Sequence, residues 1–107
     1  LTGKCKEEFE KWYFKDFEYY PEEITDFDRK ITLSIFYTEK DSMKYGVLVD
    51  YFDSVGVDIE ICKYHVSQEY YYMINDGDEE NRFKTRPEAR TASIEKANEL
   101  RNEVLNK

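Results

Sequence analysis

Asp50 and Glu60 are the residues whose types and spacing come nearest to chemistry. They sit in two stretches of alternating apolar character. If those stretches pair as the arms of one hairpin, the carboxylates lie directly opposite each other. There they repel unless a cation or a Lys/Arg side chain intervenes. Such a pair is one route to a divalent metal site or an acid/base couple. No histidine and no third placed ligand accompany it, so it reads as a solvated outer sheet face. The loop Asp76-Gly77-Asp78-Glu79-Glu80 also brings oxygens together, but lacks the ligand order and terminal Glu of an EF-hand. His65, the only histidine, has no catalytic spacing around it. Neither a G-x-S-x-G motif nor a phosphate-binding glycine loop is present. No catalytic residue, metal ligand or cofactor is assigned, and a non-enzymatic protein is expected.

Binding is better represented than catalysis. The chain holds 10 tyrosines, and Tyr70-Tyr71-Tyr72 must present rings to both sides of a strand. Tyrosine among carboxylates makes an effective protein-binding surface, with large contact area and little side-chain entropy lost. Asp50, Asp58, Glu60, Tyr70, Tyr71 and Tyr72 form the expected surface. Charge supports a basic protein partner: residues 1–81 carry a net −11 and residues 82–107 a net +3. An acidic body repels phosphates over long range, while carboxylates can stand in for them against a basic protein. The alternative is nucleic-acid binding through Arg82, Lys84, Arg86 and Arg90 at the basic end.

These residues need elements to position them. Lys4 to about Tyr20 reads as a helix, with Cys5, Phe9, Trp12, Tyr13, Phe17 and Tyr20 at three- and four-residue intervals. Pro21 ends it, and a connector follows through Arg29. Ile31, Leu33, Ile35 and Tyr37 alternate with Thr32, Ser34, Phe36 and Thr38, predicting a strand over about 30–38. Residues 44–53 and 57–66 predict two more, joined by the three-residue loop Ser54-Val55-Gly56. That register pairs Tyr51 with Ile59, Val49 with Ile61 and Asp50 with Glu60, with Gly56 where a positive φ is wanted. A fourth strand is expected over 69–75, separate or continuous with the third, and its edge could pair with a second copy in a homodimer. A helix over 86–105 is the best-marked element. Thr85 is its N-cap, Pro87 lies in its first turn, Glu88 completes a capping box, and Ala89, Ala92, Ser93 and Ala97 keep one side slim.

The resulting fold class is α+β, in the order α-β-β-β-(β)-α. An antiparallel meander of three to four strands would carry the N- and C-terminal helices on one face. A chain of 107 residues suits one domain over 1–107 with one core. No apolar run approaches the roughly 20 residues of a membrane span, and no signal-peptide stretch is present. Cys5 and Cys62 have no metal or redox spacing and read as free thiols, so a cytoplasmic location is expected.

The run Phe83-Lys84-Thr85-Arg86-Pro87-Glu88-Ala89-Arg90-Thr91-Ala92-Ser93-Ile94-Glu95-Lys96-Ala97 resembles the second helix of double-stranded-RNA-binding domains. The resemblance implies that Arg86 and Arg90 grip phosphates. Pro87 stands where that family has a further lysine, and its Gly-Pro-x-His loop has no counterpart here. The aromatic first helix, the segment Tyr51-Phe52-Asp53-Ser54-Val55-Gly56-Val57 and the run Phe83 to Ala89 together resemble small, uncharacterised phage and prophage proteins of gut-type bacteria. That likeness implies a mobile-element accessory protein and supplies no activity.

Overall fold

A computed structural model describes residues 1–14, 26–77 and 81–107. The element order is α1 (Gly3–Tyr13), α2 (Asp26–Thr38), α3 (Asp41–Ser54), β1 (Ile59–Lys63), β2 (Tyr70–Ile74) and α4 (Arg86–Leu105). The class is α+β, but among the described residues the sheet has two antiparallel strands, β1 and β2. The expected three- to four-stranded meander is therefore corrected, because residues 30–38 and 44–53 are helical. The expected extension of α1 to Tyr20, and its stop at Pro21, lie outside the described residues.

The reason for the change is visible along α3. Between its two ends the exposed positions Met43, Gly46, Asp50 and Asp53 recur every three or four residues, while Tyr51 and Phe52 are buried side by side. Adjacent buried rings fit one helix face and cannot share one strand face. Nearly every residue from Tyr45 to Phe52 is apolar, and in so short a run periodicity alone cannot separate a buried strand from a helix. Gly56 does take a positive φ of 81°, but it ends α3 rather than turning a hairpin. Val57 N–H donates to Phe52 C=O (2.8 Å) and Gly56 N–H to Asp53 C=O (3.2 Å). This is a Schellman close, and the Val57 and Phe52 side chains it brings together are both buried in the core.

In α2 the inward residues are Thr32, Leu33 and Phe36, and Phe36 is the only buried side chain among its described residues. Ile31 and Ile35, read from sequence as alternate residues of a strand, are exposed together with Phe27. The four-residue spacing of these three puts them on one outward helix stripe.

The central element is α4. Ala89, Ser93 and Ala97 are fully buried, one residue every four, so neighbours approach its backbone closely. Against it lie β1, β2, α1 and α3. The expected pair of helices on one sheet face is thus replaced by α4 on the sheet, with α1 and α3 against α4. The Thr85 half of the expected capping box forms: Thr85 Oγ1 accepts from Glu88 N–H at 3.3 Å. Thr85→Ala should cost about 1 kcal/mol, seen as a lower urea midpoint with an unchanged slope. No loss of stability would show that the helix start is held by other contacts.

The N-terminal end of α1 is tied to α4 by amides. Thr2 N–H donates to Asn98 Oδ1 (3.0 Å) and Cys5 N–H to Asn102 Oδ1 (2.9 Å). Asn102 Nδ2 returns a bond to Thr2 C=O (3.0 Å). Thr2 provides no side-chain cap of its own, so Asn102 satisfies from α4 a donor that a helix start otherwise leaves open.

Candidate functional site

The hairpin pairs Ile59 with Ile74, Glu60 with Met73, Ile61 with Tyr72, Cys62 with Tyr71 and Lys63 with Tyr70. Alternation then separates two faces. Ile59, Ile61, Tyr72 and Ile74 join the core side against α4, whereas Glu60, Cys62, Tyr71 and Met73 form the outer face. Asp50 and Glu60 are not opposite each other: Asp50 projects from the exposed side of α3, and the cross-strand neighbour of Glu60 is Met73. The sequence reading missed what does surround Glu60. Asp58, Glu60 and Asp76 bring their carboxylate oxygens within 4.8 Å of one another, all exposed. Among the described residues no Lys or Arg forms a salt bridge to any of them. Three oxygens from three exposed side chains are half of the smallest oxygen shell that Mg²⁺ or Ca²⁺ takes.

The three consecutive tyrosines part company. Tyr72 is buried against Phe83 (centroids 6.2 Å apart) and so leaves the expected surface. Tyr71 stays on the outer face, its ring 4.4 Å from that of Tyr64. Its phenol pKa is raised, first through the hydrogen bond to the Cys62 thiol and also by the nearby charge of Glu60. Tyr70 lies beneath the cations of Arg86 (5.2 Å) and Lys63 (5.6 Å).

The basic residues of the alternative reading are ordered by aromatic rings. Arg82 lies over Tyr64 at 4.7 Å, Arg86 over Tyr70, and Arg90 over Tyr45 at 5.2 Å. Arg82 also stands 3.7 Å from the Glu69 carboxylate. Lys84 is exposed. Stacking on a ring face leaves the guanidinium edge and its donors outward. The sequence carried the signal only as a list of arginines and tyrosines, without their pairing.

The outer edge of β2, the strand expected to pair with a second copy, is already used. Tyr70 exchanges N–H···O=C bonds with Phe83 (2.8 Å each). The Asn81 amide accepts from Tyr72 N–H (2.8 Å) and donates to Tyr72 C=O (3.1 Å).

A half-buried polar network was not legible in the sequence. Tyr51 hydroxyl donates to Glu8 Oε1 (2.7 Å), whose two oxygens accept from Arg101 Nε and Nη2 (2.8 Å each). Cys5 Sγ sits 3.8 Å from the Tyr51 hydroxyl. Arg101 holds the Glu8 carboxyl below its ordinary range. Burial, followed by Glu8, pushes the Tyr51 phenol far up, and burial raises the Cys5 thiol. A protonated phenol and a protonated thiol beside a neutralised carboxylate give no nucleophile at neutral pH. The network ties α1, α3 and α4 together.

Compared with protein-family models, curated proteins and solved structures, the chain matches none of them. Both cysteines are free. Among the described residues no helix is long and apolar enough to cross a membrane.

Proposed function

We propose that this is a small, non-enzymatic interaction protein that binds a basic protein partner through the outer face of its hairpin. The observation that carries the reading is the exposed trio Asp58, Glu60 and Asp76 beside Tyr71 and Met73, without a salt-bridging cation among the described residues. Its uncompensated negative potential, next to a large ring, suits an Arg- or Lys-rich surface. Tyr70, which alternation places on the side of Tyr72, is left out of this surface. The two free thiols support a cytoplasmic setting. The likeness to phage and prophage proteins supports a mobile-element accessory role.

The test is affinity capture from lysate after nuclease treatment, at low and high salt, with an Asp58→Lys, Glu60→Lys double variant in parallel. A basic protein retained by the parent, released by salt and lost by the variant is the expected result. Salt-insensitive capture, or capture unaffected by charge reversal, would remove the proposal.

A second reading is favoured by one observation: Arg82, Arg86 and Arg90 each rest on a tyrosine. Cations held in place lose less freedom on binding phosphates, so double-stranded nucleic acid is the alternative ligand. The reading rests on these stacks and not on the RNA-binding-domain resemblance, since among the described residues three helices precede the hairpin. In this case an Arg86→Glu, Arg90→Glu double variant loses duplex binding while the Asp58, Glu60 variant keeps it.

A further inference from the structure

A cleft of about 610 Å³ opens between the α2–α3 joint and the first half of α4. Its size falls within the range of small-molecule sites. Phe36, Leu48 and Ile94 give it apolar walls from three different helices. The charged residues around those walls are unequal in their commitments. Lys44 is occupied: its ammonium lies 3.3 Å from Asp41 Oδ1 and 3.3 Å from Tyr37 C=O. Lys40 and Arg90 have no salt bridge among the described residues. Arg90 is half-buried with its face on Tyr45, so its donor edge is the part left to bind. Once Lys44 and Asp41 cancel, Lys40 and Arg90 outweigh the exposed Glu95. A locally positive, apolar-walled recess thus exists in a protein whose net charge is −8.

We propose that this cleft binds a small amphiphilic carboxylate. Its hydrocarbon or ring would lie against Phe36, Leu48 and Ile94, and its carboxylate would be held by Arg90 and Lys40. Planar, two-donor recognition is what an arginine edge does best, and apolar walls reject a fully hydrated anion. The surface is distinct from the hairpin's outer face, so the inference does not depend on the protein-binding reading.

The probe is octanoate, followed by backbone amide NMR shifts, with octanol, octyltrimethylammonium and octyl phosphate as comparisons. Saturable shifts at Phe36, Leu48 and Ile94 are expected with octanoate, and binding about tenfold weaker or worse with octanol and the ammonium. Arg90→Gln and the exposed Lys40→Gln should each weaken octanoate binding by about tenfold, and Ile94→Trp should block it by filling the cleft. Circular dichroism verifies that each variant remains folded. Absence of saturable shifts, equal binding of octanol, or full binding by both glutamine variants would overturn the proposal. Tighter binding of octyl phosphate would overturn the choice of a carboxylate.

Discussion

Phe9→Ala is expected to cost about 3–5 kcal/mol, the usual range for removing a fully buried aromatic ring. Phe9 has no exposed surface, and its ring meets Phe36 and Tyr51 at 5.4 Å, Tyr13 at 5.9 Å and Trp12 at 6.0 Å. The loss includes both transfer of the ring and the cavity left among four other aromatics that cannot all collapse inward. A domain of this size is commonly stable by about 5–15 kcal/mol, so the variant would spend a large part of its population unfolded under mild urea. The same contacts predict where loosening starts. Phe36 is the only buried side chain of α2 among its described residues, so residues 26–38 should lose amide protection before β1 and β2 do. Hydrogen exchange on the variant checks this directly. Equal loss of protection across all elements would show that α2 has a stronger attachment than Phe36 provides.

Arg101→Ala is the second large effect, about 2–3 kcal/mol. Breaking a fully buried pair costs more, about 3–5 kcal/mol, because one charge is stranded. Here the Glu8 side chain keeps 30% of its surface, and water takes up part of the stranded charge. Arg101→Lys should recover only part of the loss, since lysine cannot reproduce the two-bond fork. The pH dependence follows from the direction of each shift. Glu8 titrates below its ordinary 4.5 when folded. Its contribution is therefore complete above about pH 4.5 and disappears as pH falls through the folded-state value. Tyr51 titrates above its ordinary 10.0, so its contribution is complete below pH 10 and declines at higher pH. Stability curves of the parent should thus fall at both ends, and Arg101→Ala should flatten the acid limb. An acid limb of unchanged size would dissociate Glu8 from the pair.

Helix α4 could be read directly from sequence because local and tertiary preferences agree in it: a Thr cap, a first-turn proline and a slim face at helical spacing. The start of α1 and the strand at Tyr70–Ile74 were legible for the same reason. α2 and α3 were not. Alternating Ile31, Leu33 and Ile35 fit a strand, and only the burial of Phe36 beside exposed Ile35 shows which period governs. At Gly56 the local requirement was correct and its context was not, since a helix close and a hairpin loop both demand a positive φ. For the candidate site, Asp58 and Glu60 were selected but their companion Asp76 was not, because the turn that returns it depends on the true hairpin register. The partner of Glu8 lies on the last helix, and no local pattern announces a contact over such a separation.

That separation bears on synthesis at the ribosome. The amide and ion-pair ties of α1 reach Asn98, Asn102 and Arg101, and α3 also packs on α4. Until those last turns are made, α1 lacks its polar ties to α4, although Phe9 and Trp12 can already meet Phe36 and Tyr51. A nascent polypeptide stopped before Asn98 would therefore hold its aromatic cluster without the bonds that tie α1 to α4, and would be more open to chaperones and to other nascent chains than the finished domain.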